Sequence, residues 1–159
     1  MNVWKLDRWK SLDDSVLSHP GLFLHFDKEV DTDLKRSCIR FCRWLRRRFV
    51  FPIRVDIYFK STVYVTTKSG KKMYCTCWLP DYKDYHPYIR IATGDFHVRV
   101  LEWGRDNAIA AILKDIGRML THYYQWINDL EQTEQQEKRQ VARCACLILD
   151  QYAADRDHP

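Results

Sequence analysis

The sequence predicts an α+β fold, and three observations carry that prediction. Apolar residues recur at helical spacing after Asp33 and again after Asp106, and they alternate at strand spacing between Ile53 and Ala92. Thr133 and Gln136 form a capping-box pair that opens one more helix near the end. Helices that flank a run of strands, instead of alternating with them, point to segregated helical and sheet layers. With 159 residues, 46% of them hydrophobic and 14% aromatic, the chain suits one packed domain.

Residues 1–31 are mixed in character, with His19-Pro20-Gly21 as a break and Leu22 to Phe26 as a short apolar run of indeterminate type. They are expected to form an N-terminal arm or extension, with the domain itself over 32–159. The first helix places Leu34, Ile39, Phe41, Cys42, Leu45 and Phe49 on apolar positions. Arg36, Arg40, Arg43 and Arg47 recur every three or four residues and form a basic stripe. Phe51-Pro52 closes the helix, because the residue before proline is pushed out of the α region.

Ile53, Val55, Ile57 and Phe59 alternate with polar residues and read as a strand. Val63 to Thr67 reads as a second strand, 68–71 as a turn, and Met73 to Leu79 as the return. After a loop over 80–87, Tyr88 to Ala92 is a further strand, and Phe96 to Trp103 is a short helix or extended stretch. Asp106 or Asn107 is expected to cap a long helix whose apolar stripe runs from Ile109 to Ile127. Lys114, Arg118, Thr121, His122 and Gln125 fall on its opposite side. The last helix is expected to reach about Ala153, with Glu134 and Lys138 paired one turn apart.

The net charge of +5 is uneven. Residues 1–34 hold four basic and seven acidic side chains, whereas 35–60 hold nine basic and one acidic. Such asymmetry fits either a solvated helix face or an anionic partner. Six cysteines fall in three close pairs, 38/42, 75/77 and 144/146, and none has the spacing of a structural zinc site. They are expected to be reduced, small apolar residues. The N-terminus lacks an apolar leader and no segment has the length of a membrane span, which predicts a cytoplasmic protein without membrane contact. Asp81, Asp84 and His86 share one loop and form a weak metal candidate beside Tyr82 and Tyr85.

The most informative stretch is Arg118-Met119-Leu120-Thr121-His122, which continues as Tyr-Tyr-Gln-Trp to residue 126. Zinc proteases of the zincin type carry H-E-x-x-H on a helix: two His ligands one turn apart and a Glu base. Around it, Trp44-Leu45-Arg46, Phe51 to Val55, Tyr58-Phe59-Lys60 and Pro87 to Asp95 add further likeness. Across roughly 35–152 the chain resembles a small bacterial family of SprT-like, zincin-like metallopeptidases. The resemblance implies a minimal zincin-like fold: an N-terminal helix, a three- to four-stranded sheet, a long former active-site helix and a C-terminal helix.

In that family zinc is held by the two His residues and an acidic residue of the last helix, and the Glu activates water. Here only His122 is kept. Arg118 stands in the first ligand slot, and its guanidinium offers no lone pair. Met119 stands in the base slot and accepts no proton. Lys138 occupies the third slot, or Glu137 if the register slips by one. The expectation is therefore a degenerate site with no metal, no cofactor and no catalytic residue. Arg118 is expected to pair with Glu134 or Glu137.

The function expected is a non-catalytic binding module, a protein inhibitor or adaptor, of which an anti-defence protein of a mobile element is one example. A protein partner is favoured, contacted through Arg36, Arg40, Arg43 and Arg47. Nucleic acid bound by the same basic helix is the first alternative and a residual zinc metallopeptidase the second.

Overall fold

Strand alternation decides which side of the sheet becomes the core. Val55, Ile57 and Phe59 point one way, and all three are buried beside Ile89 and Ile91 of a neighbouring strand. The computed structural model describes residues 1–157. Its strands are β1 (Leu22–Phe26), β2 (Val55–Lys60), β3 (Val65–Thr66), β4 (Lys72–Met73), β5 (Cys75–Trp78) and β6 (Tyr88–Ala92). Its helices are α1 (Thr32–Arg48), α2 (Phe96–Trp103), α3 (Arg105–Ile127) and α4 (Glu134–Asp157), and three short 3-10 turns precede β1. The α+β class is as expected: one mixed sheet and a separate helical layer.

The main sheet has the order β1-β2-β6-β5. β1, β2 and β6 run parallel, and β5 pairs antiparallel with β6 as the other edge. The indeterminate run Leu22–Phe26 is thus an edge strand in register with β2, Leu22 facing Val55 and Phe26 facing Phe59. The stretch expected as one strand from Met73 to Leu79 divides. Its first residues pair with β3 as a small hairpin around Gly70, while Cys75–Trp78 joins the sheet. The expected strand Val63 to Thr67 shrinks to Val65–Thr66.

α1 is capped by Asp31, whose carboxylate accepts from the amides of Asp33 and Leu34, 3.0 Å each. Its apolar face, Leu34, Cys38, Phe41, Cys42 and Leu45, is buried. α3 is the central helix, with Ile112, Ile116, Leu120 and Tyr123 fully buried. Burying each such side chain stabilises the fold by about 1.5–3 kcal/mol. α4 opens with the expected reciprocal cap: Thr133 N–H donates to Gln136 Oε1 at 3.0 Å, and Gln136 N–H donates to Thr133 Oγ1 at 3.2 Å. It extends to Asp157, one turn beyond the expected end.

Two expectations about α3 need correction. The helix starts at Arg105, not after an Asp106 or Asn107 cap. Gly104, at φ 84°, lets α2 turn straight into α3, and Asn107 Nδ2 donates back to Trp103 O at 2.9 Å. Thr121 and Gln125 do not lie on an open polar side; both are buried. The N-terminal turn covers Thr121: the Trp4 indole N–H donates to Thr121 Oγ1 at 3.0 Å, and that hydroxyl donates to Gly117 O at 2.7 Å. Trp4 also packs its ring against Phe49 and Tyr124. Among the described residues no helix is long and apolar enough to cross a membrane.

Candidate functional site

Lys114, Asp115, Arg118 and His122 of α3 face a cleft of about 1050 Å³, closed by α2, α4 and the β4–β5 edge. Arg118, Met119, His122, Glu137 and Lys138 all line it. The residues that fall in the expected ligand and base slots thus line one cleft, and their side chains are engaged in other contacts.

His122 Nδ1 lies 3.0 Å from Glu137 Oε1. Burial holds the imidazole pKa below its ordinary value, against the opposing pull of Glu137. His122 is accordingly neutral at pH 7, with Nδ1–H donating to the carboxylate. Lys138 turns away to Glu134, 2.7 Å distant, both side chains being largely exposed at the rim. Of the two residues that compete for the third slot, Glu137 is the one in contact with His122.

Arg118 does not pair with Glu134 or Glu137. Its Nη1 donates to Asp115 Oδ1 at 3.1 Å, one turn back on the same helix. Glu137 is taken by His122 and Glu134 by Lys138, so the nearest acceptor wins. Sequence reasoning missed Asp115, although the i,i+3 spacing to Arg118 signals the pair. Burial pushes the Asp115 carboxyl pKa up, with Arg118 and Arg99 opposing. Cys75 also lines the cleft, and burial raises its thiol to about 12, with Asp115 adding to the effect. It stays a protonated thiol, unsuited to nucleophilic attack.

The donor set does not fit a catalytic zinc ion. His122 and Glu137 meet, but Arg118 and Met119 beside them offer a guanidinium and a thioether, and neither is an imidazole, thiolate or carboxylate ligand of the kind zinc takes. Met119, buried beside His122, offers no base to activate water. Among the described residues no group of three His, Cys, Asp or Glu side chains is placed to share a metal ion. The loop trio does not assemble either: His86 Nε2 points to Asp56 Oδ2 at 3.4 Å.

No family model, curated protein or solved structure matches the chain.

The aromatic run after His122 is structural. Tyr123 and Tyr124 are buried, and their hydroxyls donate to Ile53 O at 2.6 Å and Val50 O at 2.7 Å. Trp126 is half-buried, with its indole N–H donating to Pro80 O at 2.9 Å and Lys83 over its ring. The run therefore ties α3 to the segment before β2 and the segment after β5.

On α1, Arg36, Arg40, Arg43 and Arg47 are all exposed. Arg36 has a distant partner in Asp33 at 3.9 Å, while the other three carry no ion pair among the described residues. Their neighbours are engaged internally: Arg46 donates to Leu22 O at 2.9 Å through Nε, and Arg48 binds Asp155. All six cysteines are unpaired thiols, as expected; Cys38, Cys42, Cys75 and Cys144 are buried and Cys146 is exposed.

Proposed function

We propose that the chain is a non-catalytic binding module on a degenerate SprT-like, zincin-like metallopeptidase fold, acting as an inhibitor or adaptor on a protein partner. One observation carries this reading. A cleft persists at the H-E-x-x-H position of α3, but Arg118 and Met119 fill the ligand and base slots, and Arg118 is neutralised by Asp115 within the same helix. The cleft has been rewired into self-contained pairs, His122 with Glu137 and Arg118 with Asp115, that need no ion. The unpaired face of α1 supplies the contact surface. Three arginines with no ion pair among the described residues suit an acidic protein patch, because arginine offers a rigid fork of donors and is enriched at interface hot spots.

The ancestry is tested by reversal. Arg118→His with Met119→Glu rebuilds two ligands and a base around His122, with Glu137 in place for the third. The double variant is expected to retain about one zinc per chain after dialysis, by elemental analysis, whereas the natural chain retains none. Stoichiometric zinc in the natural chain, with chelator-sensitive peptide hydrolysis, would overturn the non-catalytic reading. A double variant that folds yet takes up no zinc would overturn the ancestry.

A further inference from the structure

The helices pack on the inner face of the sheet, and among the described residues none covers its outer face. Alternation sends Phe23, His25, Arg54, Asp56, Tyr58, Tyr88, Arg90 and Trp78 away from the core. One aromatic ring from each strand forms a continuous row. His25 stacks on Tyr58 with centroids 4.6 Å apart, Tyr58 meets Tyr88 edge-on at 6.3 Å, and Tyr88 stacks on Trp78 at 5.3 Å. Cations are interleaved with the rings: Arg54 over Phe23 at 4.1 Å, Lys68 over Trp78 at 4.8 Å and Arg90 beside Tyr88 at 5.9 Å.

The acids on this face are already spent. Asp56 is buried beneath Arg54 at 3.0 Å, His25 at 2.8 Å and His86 at 3.4 Å. Asp27 is held by Lys60 at the end of β2. Arg90 donates to Thr66 O and Lys68 lies over the Trp78 ring, and neither has an ion pair among the described residues. Phe23, at 41% exposure, and Tyr58, at 37%, stand open to solvent.

We infer that this sheet face binds single-stranded nucleic acid, with bases packing against the exposed Phe23 and Tyr58 rings and phosphates meeting Lys68 and Arg90. Bases in a single strand expose the ring faces that a platform of side chains can stack against, and a duplex hides them. Interleaved cations provide the sequence-independent attraction to phosphate. A protein partner would be expected to find pockets here; an alternating pattern of rings and positive charge fits a repeating polyanion better. This surface lies on the opposite side of the sheet from the helical layer, so the inference stands independently of the proposed role for α1.

Fluorescence anisotropy with labelled single strands of about 12 nucleotides, RNA and DNA, tests it at low salt. Saturable binding is expected, with the matching duplex bound at least about tenfold more weakly. Tyr58→Ala should weaken the single strand about tenfold, and Tyr58→Phe should restore it, because the ring and not the hydroxyl carries the stack. Lys68→Glu, at an exposed position, should lower the salt dependence by roughly one phosphate contact. Absence of saturable binding below about 100 μM overturns the inference, as does equal affinity for duplex. Full affinity in a natively folded Tyr58→Ala variant also overturns it. Loss of binding in Arg40→Glu with Arg43→Glu, while the sheet variants bind normally, would move the nucleic acid to α1. A protein that occupies the sheet face and displaces no oligonucleotide would replace it with protein recognition.

Discussion

At the scale of single residues, His122 shows how the cleft is held together by side-chain pairing. Burial disfavours its imidazolium more than Glu137 favours it, so its folded-state pKa lies below the ordinary 6.5. As pH falls, the unfolded chain takes up this proton first. The contribution of His122 to stability is therefore intact above 6.5 and is lost as pH falls from there through the folded-state value. Asp115 acts in the opposite sense: its raised pKa means that stability from this group increases as pH falls toward the ordinary carboxyl range. His122→Gln removes the first slope and leaves the second. Urea unfolding at about pH 7.5 and about pH 5.5 should show a smaller loss for the variant than for the natural chain, and equal losses would sink the assignment. Trp4 makes a second case. It is 3% exposed, donates to Thr121 and packs against Phe49 and Tyr124. Trp4→Ala is expected to cost about 3–5 kcal/mol in urea unfolding, and a loss under about 1 kcal/mol would show that the N-terminal turn is dispensable. The sequence alone placed Thr121 on the polar side of α3, because helical periodicity records where a residue points and not what later packs over it.

At the scale of elements, two glycines separate close packing from spare room. A Cβ on Gly94 would lie 2.5 Å from the Thr62 carbonyl carbon and 2.6 Å from the Val63 amide nitrogen. Both obstacles are backbone, and Gly94 N–H also donates to Thr62 O at 2.8 Å. Gly117, where α3 crosses α4, has only ordinary contacts in store, the nearest being Ala145 Cα at 3.5 Å. Gly94→Ala should therefore destabilise the fold by about 1–3 kcal/mol. Gly117→Ala should stabilise it by up to about 1 kcal/mol, since alanine is the better helix former. Thermal unfolding of both variants checks the pair, and a destabilised Gly117→Ala would mean that the helices have no room to adjust. Elements with strong local signals were legible beforehand. The basic helix, the Tyr88–Ala92 strand, the turn at Gly70 and the Thr133–Gln136 cap all follow from short-range chemistry. β1 was not, because five residues of LFLHF carry no period long enough to separate strand from helix; its parallel pairing with β2 is a long-range event. The split of Met73–Leu79 was hidden for the same reason, since sheet edges are set by partners and not by composition. Of the cleft pairings, Arg118 with Asp115 carries an i,i+3 signal in the sequence, whereas His122 with Glu137 depends on how α4 packs against α3.

At the scale of the whole molecule, charge is distributed by layer. The arginines of α1 that serve the fold, Arg46 and Arg48, reach backbone or Asp155, while Arg40, Arg43 and Arg47 serve no internal contact among the described residues. Removing charge from the second group should therefore separate binding from stability. Arg47 lies in the last turn, where a cation complements the helix dipole, so it is better left in place. Arg40→Glu with Arg43→Glu exchanges two positive charges for two negative ones and takes the formal net charge from +5 to +1. Its unfolding free energy should stay within about 0.5–1 kcal/mol of the natural chain, because exposed charges without partners contribute little. Its association with an acidic protein partner should slow markedly and lose most of its salt dependence, since steering depends on that local field. Stopped-flow association at several ionic strengths reads both effects. A double variant that associates at the natural rate would free α1 from any binding role and leave its arginines as a solvated face. A double variant that unfolds early would show instead that the stripe supports the helix itself, which the absence of partners for Arg40 and Arg43 argues against.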